Sequence, residues 1–230
     1  MTIGWIITGT DTDVGKTVIT ACLAEAYRSN DQLVRAIKPI ESGVFGDGPG
    51  QDAIALATAA GHEPQTWATL TAAVSPHRAQ HMEGRTLEPD ALRAWLKSRQ
   101  GEVTLIEGAG GWRVPLMTSP TGERVQLSAL ATWVDLPVLV VARDRLGVLN
   151  HTCLTIEAIQ RDGHRVAGII LNRVSGGLDD PSRASNEADL RELTGLPMAR
   201  VDAFDPSSAR ARRRIGEQVL SDLSIPVLRA

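Results

Sequence analysis

One glycine-rich stretch near the start of the chain limits its possible folds more than any other feature. The stretch runs from Gly9 to Thr17 and reads Gly-Thr-Asp-Thr-Asp-Val-Gly-Lys-Thr. It follows an apolar run, Ile3 to Thr8, that predicts a buried strand, and it precedes a segment of helical periodicity, Val18 to Tyr27. A strand, a glycine loop ending in Gly-Lys-Thr and a helix are the context that a phosphate-binding loop requires.

The chemistry of this loop suits a phosphate chain. Glycines allow successive backbone N–H groups to turn toward one point, where the helix N-terminus adds roughly half a positive charge. Lys16 adds a full positive charge, and the Thr17 hydroxyl is placed to ligate Mg²⁺ beside the phosphates. Gly9 and Gly15 enclose one residue more than the common pattern, so the alternative is a strand-to-helix turn with an incidental lysine and threonine.

Apolar runs that alternate with helical segments indicate the fold class. Five further runs predict strands: Leu33 to Ile37, Val103 to Ile106, Pro137 to Ala142, Val166 to Leu171 and Met198 to Val201. This pattern predicts an α/β protein with a mostly parallel, doubly wound sheet and helices on both faces. We expect residues 1–230 to form a single domain of the phosphate-loop type, because no linker, repeat or low-complexity tract divides the chain.

Three segments between the strands have their own predictions. Ile40 to Gln51 is polar and rich in glycine, which predicts a loop. Val125 to Val134 has helical spacing and predicts a helix. Ser175 to Ser182 is rich in glycine, aspartate and proline and predicts another loop.

Polar side chains follow the predicted strands at their carboxyl ends, where ligands bind in such sheets. They are Lys16, Lys38, Glu107, Arg143 and Asn172. Mg²⁺ prefers oxygen ligands that include one or two carboxylates, for which Glu107 and Asp52 are candidates. For Asp52 the local sequence favours a helix N-cap instead, and Glu107 has the alternative of a surface carboxylate at a strand end.

Several nearby residues have two interpretations. Lys38 either neutralises charge that develops in a reaction or is a solvated lysine at a strand end. Asn172 either reads an adenine edge or occupies a turn, and Trp112 either forms a pocket wall or packs in the core. Ser42 and His77, taken alone, are more typical of turns or caps.

Charge and composition exclude some classes of partner. The net charge is −3, so a nucleic acid or an anionic membrane has no electrostatic support, and Arg210 to Arg214 is interpreted as a solvated helix face. Cys22 and Cys153 lie in helical patterns, which favours a reducing compartment. No apolar run reaches the roughly 18 residues that a membrane span needs, and no leader precedes the first strand. We therefore expect a cytoplasmic protein.

Several motifs together resemble those of dethiobiotin synthetases. The match includes the extended phosphate loop with its extra residue, Lys-Pro-Ile-Glu-Ser-Gly from Lys38 to Gly43, and Glu-Gly-Ala-Gly-Gly-Trp from Glu107 to Trp112. Shorter matches are Ser75 to His77, Leu146 to His151 and Asn172. The resemblance spans roughly residues 3 to 175.

The resemblance implies an ATP-dependent carboxylation and ring closure, in which 7,8-diaminopelargonate and CO₂ give dethiobiotin, the precursor of biotin. Lys38, Lys16 and Thr12 would act on the carbamate and the transferred phosphoryl group. Thr17, Asp52 and Glu107 would hold Mg²⁺, which reverses the local preference for Asp52 as an N-cap. The implied nucleotide-binding residues are Asp13, Val14, Gly15, Lys16, Thr17, Val18, Asp52, Glu107, Gly108, Ala109, Gly110, Asn172 and Arg173.

The resemblance also implies a homodimer with the substrate site at its interface. Ser42 would contact the substrate near its amines, and the helix start at Leu149 and Asn150 would bind its carboxylate.

Three positions depart from the family pattern. Asp13 stands where glutamate is common, Arg173 stands where an acidic residue is frequent, and Arg200 to Ala203 lacks a proline that would pack beside the base.

Two other functions fit parts of the pattern. A cobyrinate-type amide synthetase shares the loop and the sheet, but it usually carries a glutamine-hydrolysing domain for which 230 residues leave no room. A nucleotide-switched positioning protein needs a partner surface, such as a terminal amphipathic helix or a basic face. Neither surface is convincing in this sequence.

Overall fold

The computed structural model describes residues 3–174 and 180–226, which form ten strands and eight α-helices. The strands are β1 (Ile3–Gly9), β2 (Val34–Ile37), β3 (Ile40–Ser42), β4 (Ala68–Leu70), β5 (Val103–Gly111), β6 (Pro115–Thr118), β7 (Arg124–Gln126), β8 (Val138–Arg143), β9 (Val166–Asn172) and β10 (Met198–Val201). The helices are α1 (Lys16–Arg28), α2 (Gln51–Ala60), α3 (Pro76–Met82), α4 (Pro89–Ser98), α5 (Ser128–Val134), α6 (Val148–Arg161), α7 (Asn186–Thr194) and α8 (Ala209–Asp222).

Six strands form one parallel sheet in the order β10-β9-β8-β1-β5-β2. β1 lies near the middle, with β5 on one side and β8 on the other. The sheet confirms the predicted fold class, because near-continuous apolar strands need cover on both faces. Two smaller sheets accompany it, a parallel pair of β3 with β4 and an antiparallel hairpin of β6 with β7.

Alternate side chains of the central strands supply two hydrophobic cores. Ile6 packs on the face covered by α4, α5, α6 and α7, whereas Ile7 packs on the face covered by α1, α2 and α8. Both isoleucines are fully buried, and each such burial stabilises the fold by about 1.5–3 kcal/mol. On the second face Trp5 stacks on Tyr27, with ring centroids 5.8 Å apart. Packing on both faces fixes the strands relative to one another. It therefore also fixes the positions of the polar residues at the strand ends.

Two segments differ from their predictions. Val125 to Val134 is not one helix, because Val125 pairs with Met117 in the β6–β7 hairpin and α5 begins only at Ser128. Ile40 to Gln51 is not all loop, since Ile40 to Ser42 forms β3 by pairing with residues 68–70. Residues 175–179 of the predicted Ser175 to Ser182 loop lie outside the described residues. Within the described ranges, no helix combines the length and apolar character that crossing a membrane requires.

Candidate functional site

A cavity of about 680 Å³ opens at the carboxyl edge of the sheet, where β1, β5 and β9 end and α1 begins. It is lined by most of the residues predicted from the sequence: Thr12, Asp13, Gly15, Lys16, Thr17, Val18, Lys38, Ser42, Asp52, Glu107, Ala109, Gly110, Asn172 and Arg173. These residues come from distant parts of the chain. They meet because parallel strands bring their carboxyl ends to the same edge.

The phosphate loop is locked by Asn172 from β9. The side-chain nitrogen of Asn172 donates to the carbonyl of Val14 at 2.9 Å. Gly15 precedes α1 with φ 95°, and a Cβ built there would lie 2.1 Å from that nitrogen. Glycine is required at this position for both reasons. Asn172 is the last residue of β9, so its interpretation as a turn residue is wrong. Val14 is a buried part of the loop rather than part of the cavity lining.

Lys16 is the first residue of α1 and is only 7% exposed. Its Nζ donates to the carbonyl of Asp11 at 3.0 Å, which folds the side chain back over the loop. Burial lowers the pKa of Lys16, and the nearby charge of Glu107 opposes that effect. A buried lysine ammonium attracts an anion that enters the loop, because low polarity around it strengthens the electrostatic interaction.

Lys38 lies in an ion cluster with two carboxylates. Its Nζ is 2.5 Å from Oε1 of Glu107 and 2.7 Å from Oδ2 of Asp52. Burial alone would lower the pKa of Lys38, but the charges of Glu107 and Asp52 and their hydrogen bonds outweigh burial and raise it. Burial acts to raise the pKa of Asp52, but the charge of Lys38 and its hydrogen bond outweigh it and lower that pKa. Lys38 is thus a buried, charged group and not a solvated lysine at a strand end.

Three oxygen-bearing side chains fit a magnesium ion. The hydroxyl of Thr17 donates to Oε1 of Glu107 at 2.8 Å, and Asp52 reaches both Thr17 and Lys38. The second carboxylate oxygen of Glu107 is buried and has no hydrogen-bond partner among the described residues. Leaving such an oxygen unpaired is costly, and a cation or its water shell would satisfy it. Asp52 lies in the first turn of α2, where Gly50 is the N-cap, so its interpretation as an N-cap is wrong.

The described residues contain no group of three or more His, Cys, Asp or Glu side chains that could hold a metal ion by themselves. A hydroxyl and two carboxylates leave ligand positions open. Mg²⁺ usually fills such positions with water and with phosphate oxygens of a substrate. The donor set therefore suits a metal ion that arrives with a nucleotide.

The glycines after Glu107 allow close approach of the backbone. β5 continues through them to Gly111, which pairs with Gly9, so Glu107 lies within the strand and not after it. The Gly108 carbonyl lies 3.5 Å from Nζ of Lys38, and Gly108 does not line the cavity. Trp112 is 2% exposed and packs in the core, with its ring nitrogen donating to Asp162, and it also lines a second cavity next to the first.

The cavity lining also contains residues that sequence reasoning missed. Val174, Phe204 and Pro206 line the cavity beside Asn172 and Arg173. Residues 200–203 contain no proline, but Pro206, three residues further along the chain, lines the cavity. A lining that includes the rings of Phe204 and Pro206, an amide and a guanidinium suits a planar heterocycle. The proline downstream of the last strand was a usable signal, whereas nothing local distinguished Phe204.

Glu41 was also missed, and it is one of the most buried carboxylates of the site, at 6% exposure. Its two oxygens accept hydrogen bonds from the backbone N–H groups of Asp52 and Ala53, at 2.9 and 3.1 Å. Burial raises the pKa of Glu41, and these two hydrogen bonds work against the rise. In sequence, Glu41 lies inside the Lys-Pro-Ile-Glu-Ser-Gly motif, but the motif gives no sign that its carboxylate accepts from the backbone of residues 52 and 53.

The three predicted substrate residues do not share one surface of the chain. Ser42 lines the cavity. Leu149 and Asn150 lie in the first turn of α6 and do not line it, Leu149 partly buried against the core and Asn150 exposed. Thr12 is exposed and lines both this cavity and a neighbouring one of about 440 Å³.

Known proteins resemble this chain over most of its length. A family model described as an AAA domain matches residues 4–203. An ATP-dependent dethiobiotin synthetase of Bacillus subtilis (strain 168) is 36% identical over 204 residues, covering 86% of each chain. One of Anaeromyxobacter dehalogenans (strain 2CP-C) is 39% identical over 221 residues, covering 93% of this chain and 95% of the relative.

A solved structure supports the fold. The septum site-determining protein MinD of Pyrococcus horikoshii, complexed with Mg-ADP, superposes with a TM-score of 0.55 over 97% of this chain and 95% of its own. Its identity is 18%, so this likeness shows the fold alone. The identities to the curated relatives carry the family assignment: the chain belongs to the dethiobiotin synthetase family.

Proposed function

We propose that this protein catalyses the ATP-dependent carboxylation and ring closure of 7,8-diaminopelargonate with CO₂, which gives dethiobiotin, ADP and phosphate in biotin biosynthesis. One observation carries the proposal: Lys16, Lys38 and Glu107 line one cavity beside the phosphate loop. A reaction between an anionic carbamate and a triphosphate needs cations at the point where the two meet. The curated relatives are named for this activity.

The first half of the reaction activates CO₂. One amine of the substrate adds to CO₂ and loses a proton, which gives a carbamate. A carbamate oxygen then attacks the γ-phosphorus of ATP, and the bond to the β,γ-bridging oxygen breaks as ADP leaves. Lys16 and Lys38 stabilise the charge that gathers on the phosphoryl group, and Thr12 donates to the phosphate or carbamate.

The second half closes the ring. The neighbouring amine attacks the carbonyl carbon of the mixed anhydride, loses its proton and expels phosphate, so that a five-membered urea forms. Ser42 binds near the two amines. Since Lys38 stays charged between two carboxylates, its role is electrostatic and not that of a general base.

Thr17, Asp52 and Glu107 would hold Mg²⁺, in keeping with the unpaired oxygen of Glu107. The ion supplies positive charge to the phosphate oxygens. The loop backbone from Asp13 to Val18 would bind the phosphates, together with residues 108–110. Asn172 and Arg173 would bind the base, and Phe204 and Pro206 extend that wall.

A homodimer would complete the substrate site. Ser42 lies on the cavity, whereas Leu149 and Asn150 lie on another part of the surface. A two-fold arrangement would bring the start of α6 from a second copy to the open side, where its N–H groups bind the substrate carboxylate.

We also infer one domain over residues 1–230, a cytoplasmic location, and small molecules rather than nucleic acid or membrane as ligands.

Incorporation of labelled bicarbonate tests the activity. The purified protein, Mg²⁺, ATP and diaminopelargonate should convert the label into an acid-stable product, with one phosphate released per ring. Omission of the diamine should abolish both signals. Phosphate release that ignores the diamine, without acid-stable label, would refute the proposed reaction.

A further inference from the structure

Helix α2 has no capping side chain of its own. Gly50 is its N-cap, in an extended conformation with φ −72° and ψ 165°. The N–H groups of the second and third helical residues, Asp52 and Ala53, instead donate to the two oxygens of Glu41. A side chain on β3 thus does what an N-cap serine or aspartate normally does within a helix.

This cap acts directly on a residue of the site. Asp52 lies in the first turn of α2, and its carboxylate is 2.7 Å from Nζ of Lys38. Lys38 and Glu41 stand three residues apart in the chain, one before β3 and the other within it. The segment between Glu41 and α2 contains Gly43, Gly46 and Gly48, which restrain the helix start only weakly. Glu41 therefore ties the position of Asp52 to the strand that follows Lys38.

We propose that Glu41 is a positioning residue that caps α2 from β3 and so holds the carboxylate of Asp52 at Lys38 and at the metal position. Each oxygen of Glu41 accepts a hydrogen bond from a backbone N–H group of α2, which assigns this carboxylate to the helix start. It acts through Asp52. The activity readout below rests on the proposed function, whereas the metal-binding readout does not.

Gly50 supplies a specific test of this role. The three atoms nearest to a Cβ built on Gly50 all belong to the carboxylate of Glu41, the nearest at 2.1 Å. Gly50→Ser in the wild-type background should therefore displace Glu41. In a Glu41→Ala background the same serine has room, its backbone conformation is compatible, and its hydroxyl can accept from the second or third helical N–H.

The experiment compares four proteins with the wild type: Glu41→Ala, Gly50→Ser, the double variant, and Glu63→Ala as an exposed control beyond the other end of α2. Two quantities are measured, Mn²⁺ affinity by electron paramagnetic resonance in the presence of ADP, and the kcat and KM of the carboxylation. Each single variant at position 41 or 50 should lose roughly tenfold in Mn²⁺ affinity and in kcat, with the KM for the diamine nearly unchanged. The double variant should recover most of both, and Glu63→Ala should match the wild type.

Four results separate the possibilities. Glu41→Ala with wild-type Mn²⁺ affinity and kcat would overturn the positioning role. A folded double variant with no recovery would also overturn it, since a direct contact with ligand would then explain the loss. Should Glu41→Ala fail to fold, Glu41→Gln keeps the packing and one acceptor and should show an intermediate loss. A wild type that binds Mn²⁺ with ADP but fixes no CO₂ would refute only the proposed function.

Discussion

Replacement of Lys38 by alanine removes the ammonium that lies between Glu107 and Asp52. The side chain of Glu107 is 0% exposed, whereas that of Asp52 is 38% exposed. Loss of one partner from a buried pair costs about 3–5 kcal/mol, because the remaining charge stays buried. The ion pair between Lys38 and the partly exposed Asp52 adds at most about 1 kcal/mol, since water screens it. The expected fall in the free energy of unfolding is therefore about 3–5 kcal/mol, set mainly by Glu107.

This loss has two measurable consequences. For a chain of this size the melting temperature should fall by about 6–20 °C, as calorimetry would show. Turnover should fall by about 10²–10³, the typical effect of removing one group that stabilises transition-state charge. The affinity for ATP should change little, because Lys16 and the phosphate loop remain intact.

Lys97→Ala is the matched control, since Lys97 is exposed on α4 and should change neither quantity. A Lys38→Ala protein that melts and turns over like the wild type would refute the reasoning from burial. Added Mg²⁺ should stabilise the Lys38→Ala protein more than the wild type, because a cation then replaces the lost one. Equal stabilisation by Mg²⁺ would contradict the metal position at Glu107.

Three further predictions follow from the geometry of the cavity and its ion cluster. Gly15→Ala should weaken ATP binding at least about tenfold in calorimetric titration, because its Cβ would lie 2.1 Å from Asn172 and its φ of 95° is strained for alanine; unchanged affinity would contradict the locked loop. Phe204→Ala should weaken ATP binding but leave the affinity for inorganic tripolyphosphate unchanged, and equal losses for both ligands would place Phe204 away from the base. The lowered pKa of Asp52 stabilises the fold above the unfolded value of 3.8, and this contribution is lost as pH falls through the lower folded value. Urea unfolding at about pH 3 and pH 6 should therefore show a smaller acid loss for Asp52→Asn than for the wild type, and equal losses would contradict the depressed pKa.

The strands of the large sheet were predictable because they are buried on both faces. Val138 to Arg143 and Val166 to Asn172 are apolar almost throughout, so each is recognisable without knowledge of its neighbours. The same holds for the phosphate loop, whose strand, glycines and helix are adjacent in the chain. Local sequence suffices where the interactions that define an element are themselves local or nearly uniform.

The wrong predictions concern segments whose structure depends on pairing with residues that are distant in the chain. Ile40 to Ser42 is too short to show a pattern, and it becomes a strand only because residues 68–70 lie beside it. Val125 fits helical spacing, yet its pairing with Met117 outweighs that weak propensity. The extension of β5 to Gly111 likewise depends on Gly9 of the neighbouring strand.

The sequence by itself determined the fold class, the phosphate loop and most of the residues that line the cavity. Hydrophobic periodicity and strand ends can be recognised from neighbouring positions in the chain. Only the tertiary structure decided the charge and the hydrogen-bond partners of those residues. The charge of Lys38 depends on Glu107, 69 positions away, and the start of α2 depends on Glu41. Electrostatic and hydrogen-bond energies depend on distance and burial in space, which separation along the chain does not specify.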